Sequence, residues 1–362
     1  MGRSEPVAGV RSAGPAAPVT SGPASPRARW WPAIGFATLA VVFALGWMAW
    51  KHSHGPRSPL TAGVPPEHQV VRPADMPGLG YLPEPTEAVL AVQIPQLLEK
   101  LGPDAAADPG KALRDLGVPD SVVDAAEKMS AVGLRNVDQL VVGVGFKDGS
   151  FPPQIVVVVQ TREPYDLAAV AHRAKARQLK NRRDGRMLYA TSAAPLPEVY
   201  WWAPSDRVLV GTLFARDFER VPLVPQAGTA HLPPELGSLI RDQLPEDACA
   251  WVAATSDRWD EYLRPYTILP FTALRGRTDL LAPAGRLRSV TLAIPHGPDR
   301  PVDLRLGLKS ADAAAALRAT FADRYRGEPV EVTGEADVCR LEMPFQPARV
   351  GFVISRLIGA QD

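Results

Sequence analysis

The chain has 362 residues, with 40 Lys and Arg against 39 Asp and Glu, and 46% of it is hydrophobic. That length suits one large domain or two small ones, and a charge so balanced lacks the basic footprint of a nucleic-acid binder, so no nucleic acid is expected as a partner. Its two cysteines, Cys249 and Cys339, are too few for a disulfide framework or a four-cysteine zinc site. They leave either one bridge or two small buried side chains.

Residues 1–29 are rich in Gly, Pro, Ala and Ser and hold almost no large apolar side chain. Such a segment cannot offset its ordering entropy, so a disordered tail is expected. Trp30–Trp50 is an uncharged apolar run with Trp30 and Trp31 at one end and Trp47 and Trp50 at the other. Its length matches one transmembrane helix, and its tryptophans stand where interfacial aromatics belong. A cleaved signal peptide is the alternative, but the small-residue triplet Ala44–Gly46 is embedded in an apolar run longer than a usual signal core. Arg3, Arg11, Arg27 and Arg29 precede the run and only Glu5 opposes them. The positive-inside rule then puts the N-terminus in the cytoplasm and the globular part outside the cytoplasmic membrane. Residues 51–78 hold six prolines without apolar periodicity and read as an extended stalk, in which His52 and His54 lack a third metal ligand.

The rest reads as an α+β unit built twice, over 79–221 and 247–362, with a proline-rich connector over 222–246. Each unit opens on a strand, Glu87–Gln93 or Asp247–Ala253, and passes into a helical insert, Ile94–Leu101 or Asp257–Leu263. Hairpins follow: Gln139–Phe146 with Gln154–Thr161, and Ser289–Pro295 with Val302–Lys309, around turn-forming Asp-Gly and Gly-Pro pairs. A helix comes next. Pro164 suits the first turn of one, with Leu167, Val170, Ala171 and Ala174 on one face. Ser310 suits the N-cap of the other, with Ala314, Leu317, Phe321 and Tyr325. Second hairpins close the units, Glu198–Ala203 with Arg207–Thr212 and Pro329–Thr333 with Asp337–Met343, and Arg186–Thr191 adds a strand to the first. Hairpins impose antiparallel pairing, so two sheets lie side by side or join into one. The connector carries a helix, Pro234–Leu244, and Pro347–Ile358 reads as a closing amphipathic helix.

The lead Tyr81-Leu-Pro-Glu-Pro-Thr-Glu-Ala-Val-Leu-Ala-Val92 resembles the opening of bacterial, planctomycete-type membrane-anchored proteins of the DUF3352 family. The resemblance implies an anchored extracytoplasmic domain and transfers no catalytic residue.

No nucleophile elbow, zinc-protease motif, phosphate loop or dinucleotide fingerprint occurs. His172, His231 and His296 lack a ligand partner at metal spacing, so no catalytic residue, metal or cofactor is assigned. Two stretches are candidates for partner binding. Arg173, Lys175, Arg177, Lys180, Arg182, Arg183 and Arg186 surround Asp184. They read either as a solvated helix C-terminus or as a patch for an anionic lipid, a polysaccharide or an acidic envelope protein. Tyr200, Trp201 and Trp202 are consecutive on a strand, so one tryptophan leaves the core of its own unit. It packs on the other unit or a covering helix, or it meets a partner. The expected function is a single-pass binding or scaffold protein of the bacterial cell envelope, not an enzyme. The alternatives are a carrier holding a lipid or hydrophobic ligand between the units, and an enzyme whose site is assembled from loops.

Overall fold

The run Ile155-Val-Val-Val-Val159 has the stiff, branched side chains that favour a pleated strand, and all of them are buried. A strand buried on both faces belongs at the centre of a covered sheet. In the computed structural model it lies within a twelve-stranded antiparallel sheet. The structure describes residues 70–102, 105, 136–146, 153–181, 184–192, 198–268, 281–297 and 299–346. The strands are β1 Ala88–Gln93, β2 Val137–Gly145, β3 Gln154–Thr161, β4 Arg177–Lys180, β5 Met187–Thr191, β6 Val199–Ser205, β7 Val208–Thr212, β8 Ala248–Thr255, β9 Leu287–Pro295, β10 Val302–Leu308, β11 Glu331–Thr333 and β12 Val338–Met343. Their order is β11-β12-β10-β9-β8-β1-β2-β3-β7-β6-β5-β4. One sheet therefore spans both halves of the chain, joined where β1 pairs with β8, Leu90 opposite Val252 and Ala91 opposite Trp251.

Read outward from β1, the sheet runs β2, β3, β7, β6; outward from β8 it runs β9, β10, β12, β11. In each direction the first hairpin is followed by a helix, and the last strand of the half's final hairpin returns beside its third strand, β7 beside β3 and β12 beside β10. The first half extends further, through β5 and β4. The α-helices are α1 Ile94–Leu101, α2 Leu167–Arg173, α3 Pro234–Ser238, α4 Trp259–Ile268, α5 Leu281–Ala284 and α6 Ala311–Arg324. Pro164, expected in the first turn of α2, lies before it: Asp166 is the cap, its Oδ1 accepting from the Ala168 and Ala169 amides at 2.9 and 3.1 Å. Ser310 Oγ accepts from the Ala313 amide at the start of α6, as its sequence position predicts. Both caps satisfy amides that a first helical turn leaves without partners.

Strand alternation separates two apolar layers. On one face Val157 and Trp201 pack with Val170 of α2, and Leu304 and Leu341 pack with Phe321 of α6. On the other, Val156, Val158 and Trp251 lie under Met76, Leu79 and Phe218 and the connector residues Leu236 and Ile240. The connector helix changes at Leu239 into a π-helical turn, Leu239–Gln243. Residues 70–78, expected as the end of an extended stalk, instead enter this layer. Pro73–Asp75 and Pro77–Tyr81 form 3-10 turns, and Met76 and Leu79 are fully buried. The candidate anchor Trp30–Trp50, the tail 1–29 and the closing segment Pro347–Ile358 lie outside the described residues. Among those described, no helix is long and apolar enough to cross a membrane.

The two halves are clasped at both ends of β1. Glu87 Oε1 accepts from the Tyr262 hydroxyl of α4 at 2.9 Å and its Oε2 accepts from the Phe146 amide at 2.9 Å, while Tyr262 stacks on Phe146. At the other end Lys100 Nζ donates to the Gly297 carbonyl at 2.6 Å. The entering chain is locked by close backbone contact: a Cβ on Gly80 would collide with the Gln226 carbonyl, while the Gln226 amide donates to Gly80 O at 3.0 Å. A backbone neighbour has little room to give, so Gly80→Ala should cost about 1–3 kcal/mol. Urea denaturation should show this as a lower midpoint with an unchanged slope.

Candidate functional site

Arg173 does stand at the end of a helix, but from Arg177 the basic stretch is a strand edge. α2 stops at Arg173, Lys175 takes a left-handed turn at φ 48°, and Arg177–Lys180 becomes β4, the outermost strand beyond β5. Arg177, Gln178 and Lys180 are exposed, and Leu179 pairs with Leu188 on the connector face. Pairing with β5 thus overrides the helical preference of the local sequence. Arg182 and Arg183 lie outside the described residues.

Arg186 leaves the basic patch altogether. It is buried, with Nε donating to Asp184 Oδ2 at 2.7 Å and NH2 donating to the carbonyls of Phe218 and Val221 at 2.8 and 2.9 Å. Its guanidinium lies 4.8 Å from the centre of the Trp202 ring. A planar cation that stacks and donates along several directions fills this place as lysine could not. It fixes the β4–β5 hairpin to the start of the connector.

The aromatic triplet divides as strand geometry requires. Trp201 is 1% exposed, stacks on Tyr189 with ring centres 4.4 Å apart, and donates from Nε1 to Thr191 Oγ1 at 3.0 Å. Trp202 faces the connector layer, edge-on to Tyr81 and under Arg186. Both tryptophans are therefore packing residues. Tyr200 is half-buried, and its hydroxyl donates to Glu198 Oε2 at 2.6 Å, while Arg177 donates to Glu198 Oε1 at 3.0 Å. The bonds from Tyr200 and Arg177 hold the Glu198 carboxyl below its usual range. This cluster ties β4 to β6 across β5, and Lys180 with the exposed Met187 opposite it is the surface that remains.

A second polar assembly stands at the other end of the sheet, where the connector no longer covers it. Asp303 is buried and takes Arg305 through Nε and NH2 at 3.0 and 2.7 Å, and Arg340 through Nε and NH2 at 3.0 and 2.9 Å. Arg340 also meets Glu342 at 2.7 Å. Alternation of charged with apolar residues in β10 and β12 signals an uncovered face, but the sequence does not tell which charges meet. Beside it a groove of about 770 Å³ is walled by Asp299, Glu328, Glu331 and Glu342 over Met343 and Phe345.

Other groups serve the fold. Cys249 and Cys339 are buried free thiols, each pushed up to about 11 by burial. Burial lowers the proton affinity of His231, His296 Nε2 lies 3.6 Å from Glu99, and His172 is exposed on α2. Among the described residues no three His, Cys, Asp or Glu side chains converge as a metal would require.

No protein-family model matches the chain, and no curated protein matches it. The solved structure of crystal form I of TP0453 is similar over 80% of this chain and 98% of that one, at 13% identity and a TM-score of 0.41. That is too remote to transfer a residue or an activity.

Burial alone would raise the Asp303 carboxyl, but the bonds from Arg340 and Arg305 hold it below its usual value. A depressed carboxylate stabilises the folded state above its unfolded pKa, about 3.9, and loses that contribution as the pH falls through the folded value. Asp303→Asn should cost about 1–3 kcal/mol at neutral pH, less than a fully buried pair, because Arg305 and Arg340 keep access to water. In denaturation curves taken from pH 7 downward, the gap to the wild type should narrow only below about pH 4.

Proposed function

We infer that this chain is a single-pass scaffold or binding protein of the bacterial cell envelope, anchored by Trp30–Trp50, with its globular part outside the cytoplasmic membrane. On this reading the body is a duplicated α+β unit. The support for duplication is the matching strand order outward from β1 and from β8, with β4 and β5 as an extension of one copy.

The observation that carries the reading is the open edge at β4. Three charged groups set into the body are engaged in holding it: Asp303 with two arginines, Arg186 with two carbonyls and Asp184, and Glu87 with Tyr262. Lys180, by contrast, presents an unpaired charge on a strand with no neighbour on its outer side among the described residues, and Arg177 on the same strand is exposed although it is tied to Glu198. An exposed strand edge is a template for another chain, and its side-chain charge selects which chain. Tethering suits such a contact because it holds the edge at a fixed surface. The groove at the opposite end is rimmed by carboxylates, which fits the carrier of an apolar ligand less well.

Reporter fusions after Asp362 test the placement. Alkaline phosphatase fused there should be active and a green fluorescent protein dark, because neither folds correctly on the wrong side of the membrane. The reverse pattern would put the body in the cytoplasm and return nucleic acid to the list of partners.

A further inference from the structure

The start of β10, the start of β11 and the end of β12 meet at the acidic groove, with Val302 opposite Met343 and Glu331 opposite Glu342. The groove's floor is the open end of the helix-side core: Met343 belongs to that core, and Val330 and Phe345 pack against it. Its wall is acidic. Glu331 and Glu342 stand directly opposite each other, and like charges so placed destabilise a sheet. Arg340 relieves Glu342, whereas exposed Glu331 and Asp299 form no ion pair with a described residue. Arg300, the one cation on the described lining, is turned to Asp247 at 3.5 Å. The groove therefore suits an occupant that is apolar on one side and basic along the border of that side.

The chain supplies such an occupant at the groove itself. β12 runs directly into the groove, whose lining includes Pro344 and Phe345. Lys100 Nζ lies 5.0 Å from the centre of the Phe345 ring, a cation–π contact that fixes where the chain leaves. Beyond Gln346 the sequence is Pro347-Ala-Arg-Val-Gly-Phe-Val-Ile-Ser-Arg-Leu-Ile358, with two arginines and no carboxylate. At helical spacing Val350, Val353, Ile354 and Leu357 share one side, and Arg349 and Arg356, seven residues apart, form a row along its border. The stretch 103–135, which follows α1 and so also starts near Lys100, carries six Asp and Glu against four Lys and Arg. That is the wrong sign for this groove.

We propose that the segment Pro347–Ile358 seats in the groove from which it starts, its apolar side extending the floor of Val330, Met343 and Phe345 and its arginines facing Glu331 and Asp299. Such a strap needs little intrinsic affinity, because its join to β12 holds it at a high effective concentration. A basic, apolar peptide from a partner enters the groove only by displacing it, so the segment acts as an autoinhibitory cap. This contact goes beyond the scaffold reading and stands or falls independently of what the β4 edge binds.

The test is carbodiimide cross-linking, which joins an amine to a carboxylate in contact with it, on the full chain in detergent micelles. Arg356→Lys supplies the amine and keeps the charge. Peptide mapping should find position 356 joined to Asp299 or Glu331 of the same chain, with a lower yield at about 0.5 M salt than at about 0.05 M. Adding Val353→Asp and Ile354→Asp removes the apolar side but leaves the tether, and should cut the yield about tenfold or more, with circular dichroism confirming that the body is folded. Mixing isotopically labelled with unlabelled chains separates links within a chain from links between chains. The proposal is overturned by an undiminished yield in the Asp variant, which would mean tethering without a seat. It is overturned equally by links only between chains, which would put the segment on a second copy, or by no link to the groove, which would leave the groove to a partner.

Discussion

The molecule depends on the pairing of β1 with β8. Ala88–Val92 lies antiparallel to Ala250–Ala254, and this short seam makes one sheet of two halves whose strands are otherwise local in sequence. Gln93 reinforces it from the connector side. Its side chain is 1% exposed, yet all its hydrogen-bonding groups are used: Nε2 donates to Val71 O at 2.8 Å and Ala248 O at 3.0 Å, and Oε1 accepts from the Val71 amide at 2.8 Å. A buried amide so placed is costly to leave unpaired, so it fixes the entering chain, β1 and β8 in one register. Without the seam, each half would end on an apolar open edge.

The seam also explains the inequality of the two sheet faces. On the helix side α2 and α6 cover the two wings separately. On the other side the layer that holds the entering 3-10 turns and the connector runs from Leu179 and Leu188 across the centre to Ala293, and stops there. Beyond them no described residue covers this face of β10, β12 and β11, and their outward residues are Asp303, Arg305, Arg340, Glu342 and Glu331. Charge has accumulated where burial ends. Because the other wing ends on a basic strand, the sheet is polarised along its width, although the chain as a whole is almost neutral. Net charge therefore says little here about how the protein meets a partner, and its distribution says much more.

The hairpins were legible in the sequence because turn residues and period-two alternation are local signals; all four lie within a residue or two of their expected bounds. The join between halves was not. β1 and β8 are both apolar on each face, which marks them as central, but no local feature says that each is the other's neighbour. Arg177–Lys180 misled for a related reason. Its lone apolar residue, Leu179, gives no period, and only the partner strand β5 makes it a strand. Arg186 looked like one more surface cation, because the carbonyls that hold it belong to Phe218 and Val221, more than thirty residues away. Trp201 and Trp202 were assigned to opposite faces correctly. That the outward one would meet Tyr81 could not be read, because the segment carrying Tyr81 joins the core through backbone contact at Gly80.

Native-state hydrogen exchange at the seam tests this account most directly. The amides of Val89–Val92 and Ala250–Ala253 that bond across it should exchange only through global unfolding, with the same free energy as the buried amides of β2 and β3. Exchange at the seam with a markedly lower free energy, or β9–β12 opening as a unit while β2 and β3 remain protected, would contradict a single sheet held together at β1 and β8.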